Sequence, residues 1–158
     1  PILIAGVLFH FIMGFYLEIQ NRKAAKYEYQ KEKGSANSTW MSRNMITSGL
    51  VILAFLVLHF IDFWVPEMNY KYIEFLPEDP NRYYEELVHK FENPLRVAMY
   101  CISFVLLALH LLHGFTSSLR SMGTNKSYVS SAKTAGIVYS IGIPLGFCVI
   151  AIFHYLNH

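Results

Sequence analysis

Between Asn44 and Val65 the chain reads NMITSGLVILAFLVLHFIDFWV, and Asp62 is the only acidic or basic-chain charge in it. Such a run matches the roughly 20 apolar residues that a helix needs to cross the hydrocarbon of a bilayer. Three more runs have the same character: PILIAGVLFHFIMGFYLEI from Pro1 to Ile19, PLRVAMYCISFVLLALHLLHGFTSS from Pro94 to Ser118, and TAGIVYSIGIPLGFCVIAIFHYLN from Thr134 to Asn157. Hydrocarbon offers no hydrogen-bond partners, so each span must satisfy its own backbone, and helix is the form open to it. The expectation is therefore an all-α, polytopic transmembrane helical bundle. It forms one domain over residues 1–158, with spans at about 1–19, 44–65, 94–118 and 134–157. Pro94 suits a first helical turn, and Pro144 is expected to kink the last helix without ending it.

Charge is scarce and segregated. Only 15% of residues are charged against 54% hydrophobic, and the mean hydropathy is +0.31. A net charge of +2 gives no basic face for nucleic acid. Arg22, Lys23, Lys26, Lys31, Lys33 and Arg43 crowd segment 20–43, and Arg120, Lys126 and Lys133 occupy 117–133 without an acid. Segment 66–93 instead carries a run of acids from Glu67 to Glu92. The positive-inside rule puts the two basic loops in the cytoplasm and 66–93 outside. A cytoplasmic N-terminus would then ask for one more helix before Pro1. The outer loop holds a candidate amphipathic helix at Tyr83 to Phe91, YYEELVHKF. Cys101 and Cys148 lie mid-span without metal-ligand spacing and read as packing residues.

Imidazoles are the unusual feature of the spans. His10, His59, His110 and His113 all lie within them, and His154 lies near the end of the last. Ionisable side chains at that depth are costly and face a partner inside the bundle. A lone histidine there reads as an interhelical hydrogen bond; several at matching depths ask for a shared ligand. At about 1.5 Å per residue, His10 stands ~18 Å from Arg22 and His110 ~15 Å from Arg120, level to within ~3 Å. His113 lies only ~10 Å from Arg120, and His59 stands ~24 Å from Arg43, on a higher tier.

Two level imidazoles from separate helices in an apolar cage suit the axial positions of a haem iron. Zinc would ask for more ligands, with cysteine or carboxylate nearby. A flat macrocycle also needs space beside its ligands. Gly6 and Gly14 lie four residues to either side of His10, and Gly114 lies four after His110, on the same helical faces.

These residues resemble a family: the cytochrome b membrane-anchor subunit of succinate dehydrogenase and fumarate reductase, the single-chain, di-haem type of succinate:quinone oxidoreductase. FHFIMGFYLEIQNRKA is similar to the family's second helix, where a histidine precedes a basic cytoplasmic end. SRNMITSGLVILAFLVLHF is similar to the third, with Gly49 ten residues before His59. LHLLHGFTSSLRSMG is similar to the fourth, with His110, Gly114 and Gly123 in the family's spacing. The likeness covers essentially the whole chain.

The resemblance implies five helices with axial histidines on the first four, two haem b groups, and a quinone, menaquinone being the expected one. It selects His110 over His113, in agreement with depth, as the partner of His10 at the inner haem iron. His113 is left to touch a propionate or bond a neighbouring carbonyl. His59 would ligate the outer haem iron with a histidine from a helix before Pro1. Ala108 stands where some members carry a carboxylate implicated in proton movement, which argues against that route here. Asp62, one turn beyond His59, reads as a group for quinol proton exchange, a partner for a haem, or a cap at the outer edge. Glu18 reads as a residue of the lipid edge. The resemblance further implies flavoprotein and iron–sulfur partner subunits docked on loops 20–43 and 117–133, which membrane lipid headgroups would also attract. The place implied is the bacterial cytoplasmic membrane. No side chain reads as an acid–base catalyst, because the electron chemistry belongs to the cofactors.

Two rival readings stand beside it. One is the cytochrome b subunit of another quinone-linked oxidoreductase, a hydrogenase or a formate dehydrogenase. The other is a non-haem transporter or scaffold, whose signature would be a broken helix; the cluster Gly142, Pro144, Gly146 is its only trace.

Overall fold

The computed structural model of the chain describes residues 2–28, 44–122 and 126–157, and all its regular elements among these are helical. Four helices are long and apolar enough to cross a membrane: Ile2–Lys23, Met45–Tyr72, Pro94–Leu119 and Ser130–Leu156. The protein is an all-α, multi-pass membrane protein. Lys31, Glu32, Lys33, Arg43 and Gly123, and with them much of loop 20–43, lie outside the described residues. The chain divides into two compact units, Pro1–Leu50 and Val51–His158.

The first unit is built on α1 (Ile2–Glu28). Its apolar window buries none of its residues. Phe11 and Phe15, one turn apart, meet edge to face at 4.7 Å. Near the polar end Glu18 pairs with Arg22 at 2.7 Å, so the lipid-edge acid has an i,i+4 partner. The helix outruns the apolar stretch because QNRKAAKYE is composed mostly of strong helix formers that need no hydrocarbon around them.

The second span starts as α2 (Met45–His59), widens into a π-helical turn at Phe60–Trp64, and resumes as α3 (Val65–Tyr72). The widening has a cause in the sequence. Pro66 has no N–H to give Asp62 and its ring presses on that carbonyl. The turn relaxes by one residue, and the Val65 N–H bonds Phe60 O instead. π-turns of this kind are frequent at functional sites; here the turn carries Asp62.

After α3 the chain reverses through Phe75, which adopts a φ of 52°. It then forms α4 (Arg82–Phe91), the amphipathic segment expected from YYEELVHKF. Side chains clip α4 to α3. Tyr83 Oη donates to Glu67 Oε1 at 2.8 Å, and Arg82 lies 3.0 Å from Glu67 and 2.8 Å from Glu86. The Arg82 guanidinium also covers the Tyr70 ring at 3.9 Å. The hydrogen bond it donates to Glu86 and the charge of Glu67 hold Arg82 protonated even more firmly than usual.

Asn93 starts α5 (Pro94–Ser121): its Oδ1 accepts from the Leu95 and Arg96 N–H groups at 3.0 and 3.2 Å. This is the side-chain cap that a helix N-terminus requires, with Pro94 in the first turn, where its missing N–H costs nothing. α6 (Lys126–Leu156) runs unbroken through Gly142, Pro144 and Gly146. Pro144 is fully buried. Among the described residues α5 and α6 pack against each other most extensively. Phe104 stacks on Phe147 at 5.4 Å, and the Cys148 thiol reaches Cys101 O at 3.8 Å. The two cysteines are packing residues against the aromatic core, as their mid-span positions suggested.

That core is Phe91, Val97, Tyr100, Phe104 and Ala151. Around it Val57, Ile61, Leu95, Ile102, Val105, Val138, Val149 and Phe153 are exposed. Apolar surface on this scale would drive a water-soluble protein to aggregate; against acyl chains it is the ordinary outside of a bundle.

Candidate functional site

The described residues of the second unit line a strongly aromatic cavity of about 380 Å³. Phe55, Leu56, His59 and Phe63 line it from the second span, Leu87 and Phe91 from α4, Tyr100, Phe104 and Leu107 from α5, and Phe147 and Ile150 from α6. It exists because α2 and α5 meet through large rings. Phe55 reaches Tyr100 at 5.0 Å and Phe104 at 5.4 Å, both edge to face. The volume falls within the few hundred cubic ångströms usual for small-molecule sites.

His59 is the polar point on the α2 wall. Its ring lies between Phe55 at 6.0 Å and Phe63 at 5.2 Å. Its Nδ1 is buried without a hydrogen-bond partner among the described residues. A polar atom buried in this way costs free energy unless something supplies a partner. His59, an imidazole on an apolar, aromatic cavity, could hold the metal of a flat macrocycle.

Beside the cavity lies the polar group of the unit. Asp62 is 1% exposed. Its Oδ2 accepts the Tyr100 hydroxyl at 3.0 Å, and its Oδ1 faces Arg96 Nη1 at 3.3 Å and Lys90 Nζ at 3.9 Å. Of the three roles the sequence left open, the geometry shows a buried ion cluster around Asp62. The π turn places it there.

The other sequence candidates fall into two sets. His10 belongs to the first unit, on the exposed surface of α1. A Cβ built at Gly6 or Gly14 would meet no atom within 4 Å among the described residues, so both leave open space on that helix. His110, His113 and Gly114 belong to the second unit and are half-buried on α5. His113 has a partner on its own helix: its Nε2 lies 3.4 Å from Ser117 Oγ. His59 and Gly49 lie on α2, both half-buried. His154, near the end of α6, meets the Tyr84 ring of α4 at 5.6 Å. Among the described residues no three His, Cys, Asp or Glu side chains gather as a metal site; a two-imidazole haem site needs no such group.

Comparison of the chain with protein-family models, with curated proteins and with solved structures finds no match.

Sequence reasoning missed Arg96, Tyr100 and Lys90. Arg96 carried a signal, since a basic residue two positions into an apolar span asks for a partner. Tyr100 and Lys90 carried none, because only folding brings them to Asp62.

Proposed function

We propose that the chain is the di-haem cytochrome b subunit that anchors a succinate dehydrogenase or fumarate reductase in the membrane. It passes electrons between an iron–sulfur partner subunit and a quinone. The observation that carries this reading is His59, an imidazole with a buried, unpartnered nitrogen on an aromatic cavity at membrane depth. His10 and His110 are assigned to one haem b and His59 to a second. A bound haem supplies one-electron exchange. The residues of this chain do the rest: His59 presents a fixed ring, and Phe55, Phe63, Phe104 and Phe147 exclude water. Burial and hydrogen bonding around such a group tune its potential. The quinone, the flavoprotein and iron–sulfur subunits, and the bacterial cytoplasmic membrane complete the reading, on the sequence likeness alone. The unbroken course of α6 removes the one sequence hint of a transporter's discontinuous helix.

The test is a reduced-minus-oxidised visible spectrum of the purified protein, with haem counted per chain. Bis-histidine b-type bands are expected. His10→Ala and His110→Ala should each lose one haem and keep the other, His59→Ala should lose the complementary one, and His113→Ala should keep both. A colourless preparation would remove the haem reading. Loss of haem in His113→Ala with retention in His110→Ala would reverse the choice between them.

A further inference from the structure

The cluster around Asp62 holds more positive charge than its one carboxylate offsets. Arg96 and Lys90 both point at Oδ1, and their side chains are only 30% and 27% exposed. Lys90, at 3.9 Å, is beyond hydrogen-bond length. Arg96 carries five N–H donors, and its closest approach to Asp62 is 3.3 Å. Two cations and one anion, mostly withdrawn from water, form an unbalanced set.

The position of the imbalance matters. Tyr100 is at once a wall of the aromatic cavity and the donor to Asp62. Lys90 is flanked on α4 by Leu87 and Phe91, both cavity-lining. Arg96 precedes Tyr100 by four residues, on the same face of α5. Asp62 follows His59 by three. The apolar cavity thus has an imidazole on one wall, and the surplus cations stand next to its Tyr100 wall, joined to it through Asp62. Such a place suits a molecule with a flat apolar body and an anionic oxygen at its rim. Haem b has that form, with two carboxylates on one edge of an apolar ring.

We propose that Arg96 and Lys90 are positioning residues that hold a carboxylate of the haem bound at His59, with Asp62 fixing both cations in place. This rests on the haem reading above. The phosphate of a lipid headgroup offers the same anionic oxygen, so the experiment must separate the two sources.

Full-length protein in phosphatidylcholine nanodiscs is titrated with haem b and with its dimethyl ester, which lacks the charges. The haem lost in His59→Ala marks the site to be read. The wild type should hold the acid roughly tenfold more tightly than the ester, the value of one charge-assisted hydrogen bond. The Lys90→Gln/Arg96→Gln double variant should bind both alike, and Arg96→Lys, which keeps the charge, should retain part of the preference and show that the fold tolerates change there. Equal affinity for acid and ester in the wild type overturns the proposal. So does a preference left unchanged in the double variant. The lipid arm repeats the comparison in phosphatidylglycerol nanodiscs: loss of retained phosphatidylglycerol in the double variant, with acid and ester bound alike throughout, assigns the cations to lipid. If His59→Ala loses no haem, the ligand assignment of His59 falls first and the proposal with it, an outcome distinct from the others.

Discussion

Asp62 shows how much a single side chain can organise at membrane depth. Its two oxygens hold a hydroxyl and two cations drawn from α4 and α5. Removing the carboxylate leaves the Tyr100 hydroxyl without its acceptor and the cations without their counter-charge. Asp62→Ala should therefore destabilise the protein by about 3 kcal/mol, the low end for breaking a buried pair, since both cations retain some exposure. Lys90→Ala should cost under ~1 kcal/mol, because its contact is long and partly exposed. Denaturant titration in detergent micelles checks both values; an equal effect of the two changes would contradict the geometry. The sequence made Asp62 visible as a rare acid at the rim of a span, yet left its role open among three alternatives. Nothing local in FIDFW says that the turn is π-helical or that residue 62 faces inward. That follows from Pro66 four residues on, together with partners from Lys90 to Tyr100. His59, by contrast, was legible at once, because an imidazole stands out in an apolar run whatever the fold around it.

At the scale of elements, α5 and α6 are held by shape. Their contacts run antiparallel: Cys101 with Cys148, Phe104 with Phe147, and Phe115 with Gly136. At the last of these a Cβ on residue 136 would lie 2.0 Å from Phe115 Cε1. Only a glycine admits the ring, since small residues let membrane helices approach. Gly136→Ala must therefore push Phe115 outward or part the helices, at a cost of about 1–3 kcal/mol as for other overpacked contacts. Because one contact carries the effect, Gly136→Ala combined with Phe115→Ala should cost clearly less than the sum of the single changes. Unfolding of all three variants in detergent checks this, and simple additivity would show that the contact is not the cause. The four spans themselves were plain in the sequence, since ~20 apolar residues leave little choice. Their ends were less so. α1 continues to Glu28 and α6 begins at Lys126, because polar helix formers extend a helix past the hydrocarbon without any change in hydropathy to mark it. Gly136 was indistinguishable from the other glycines until its neighbour was known.

For the whole molecule the governing quantity is the distribution of charge between loops. Lys23 and its neighbours in 20–43, and the basic residues of 117–133, oppose the acids of 66–93. Basic residues close to span ends resist transfer across the membrane, whereas acids contribute little to the choice. Spans two and three should thus form a hairpin whose α3–α4 connection faces away from the cytoplasm. Single cysteines test this in a background with Cys101 and Cys148 replaced by alanine, which removes thiols that sit within the helix pair. A cysteine at Glu78, in the segment between α3 and α4, should react with a membrane-impermeant maleimide added to intact cells. A cysteine at Lys23, on the exposed polar end of α1, should react only after the membrane is opened. The clip of Arg82 on Glu67 and Tyr70 does not protect residue 78, so slow labelling there cannot be blamed on burial. Labelling of Lys23→Cys from outside, with Glu78→Cys silent, would invert the topology. The cluster of Asp62, Arg96 and Lys90 would then lie toward the cytoplasmic side of the second unit.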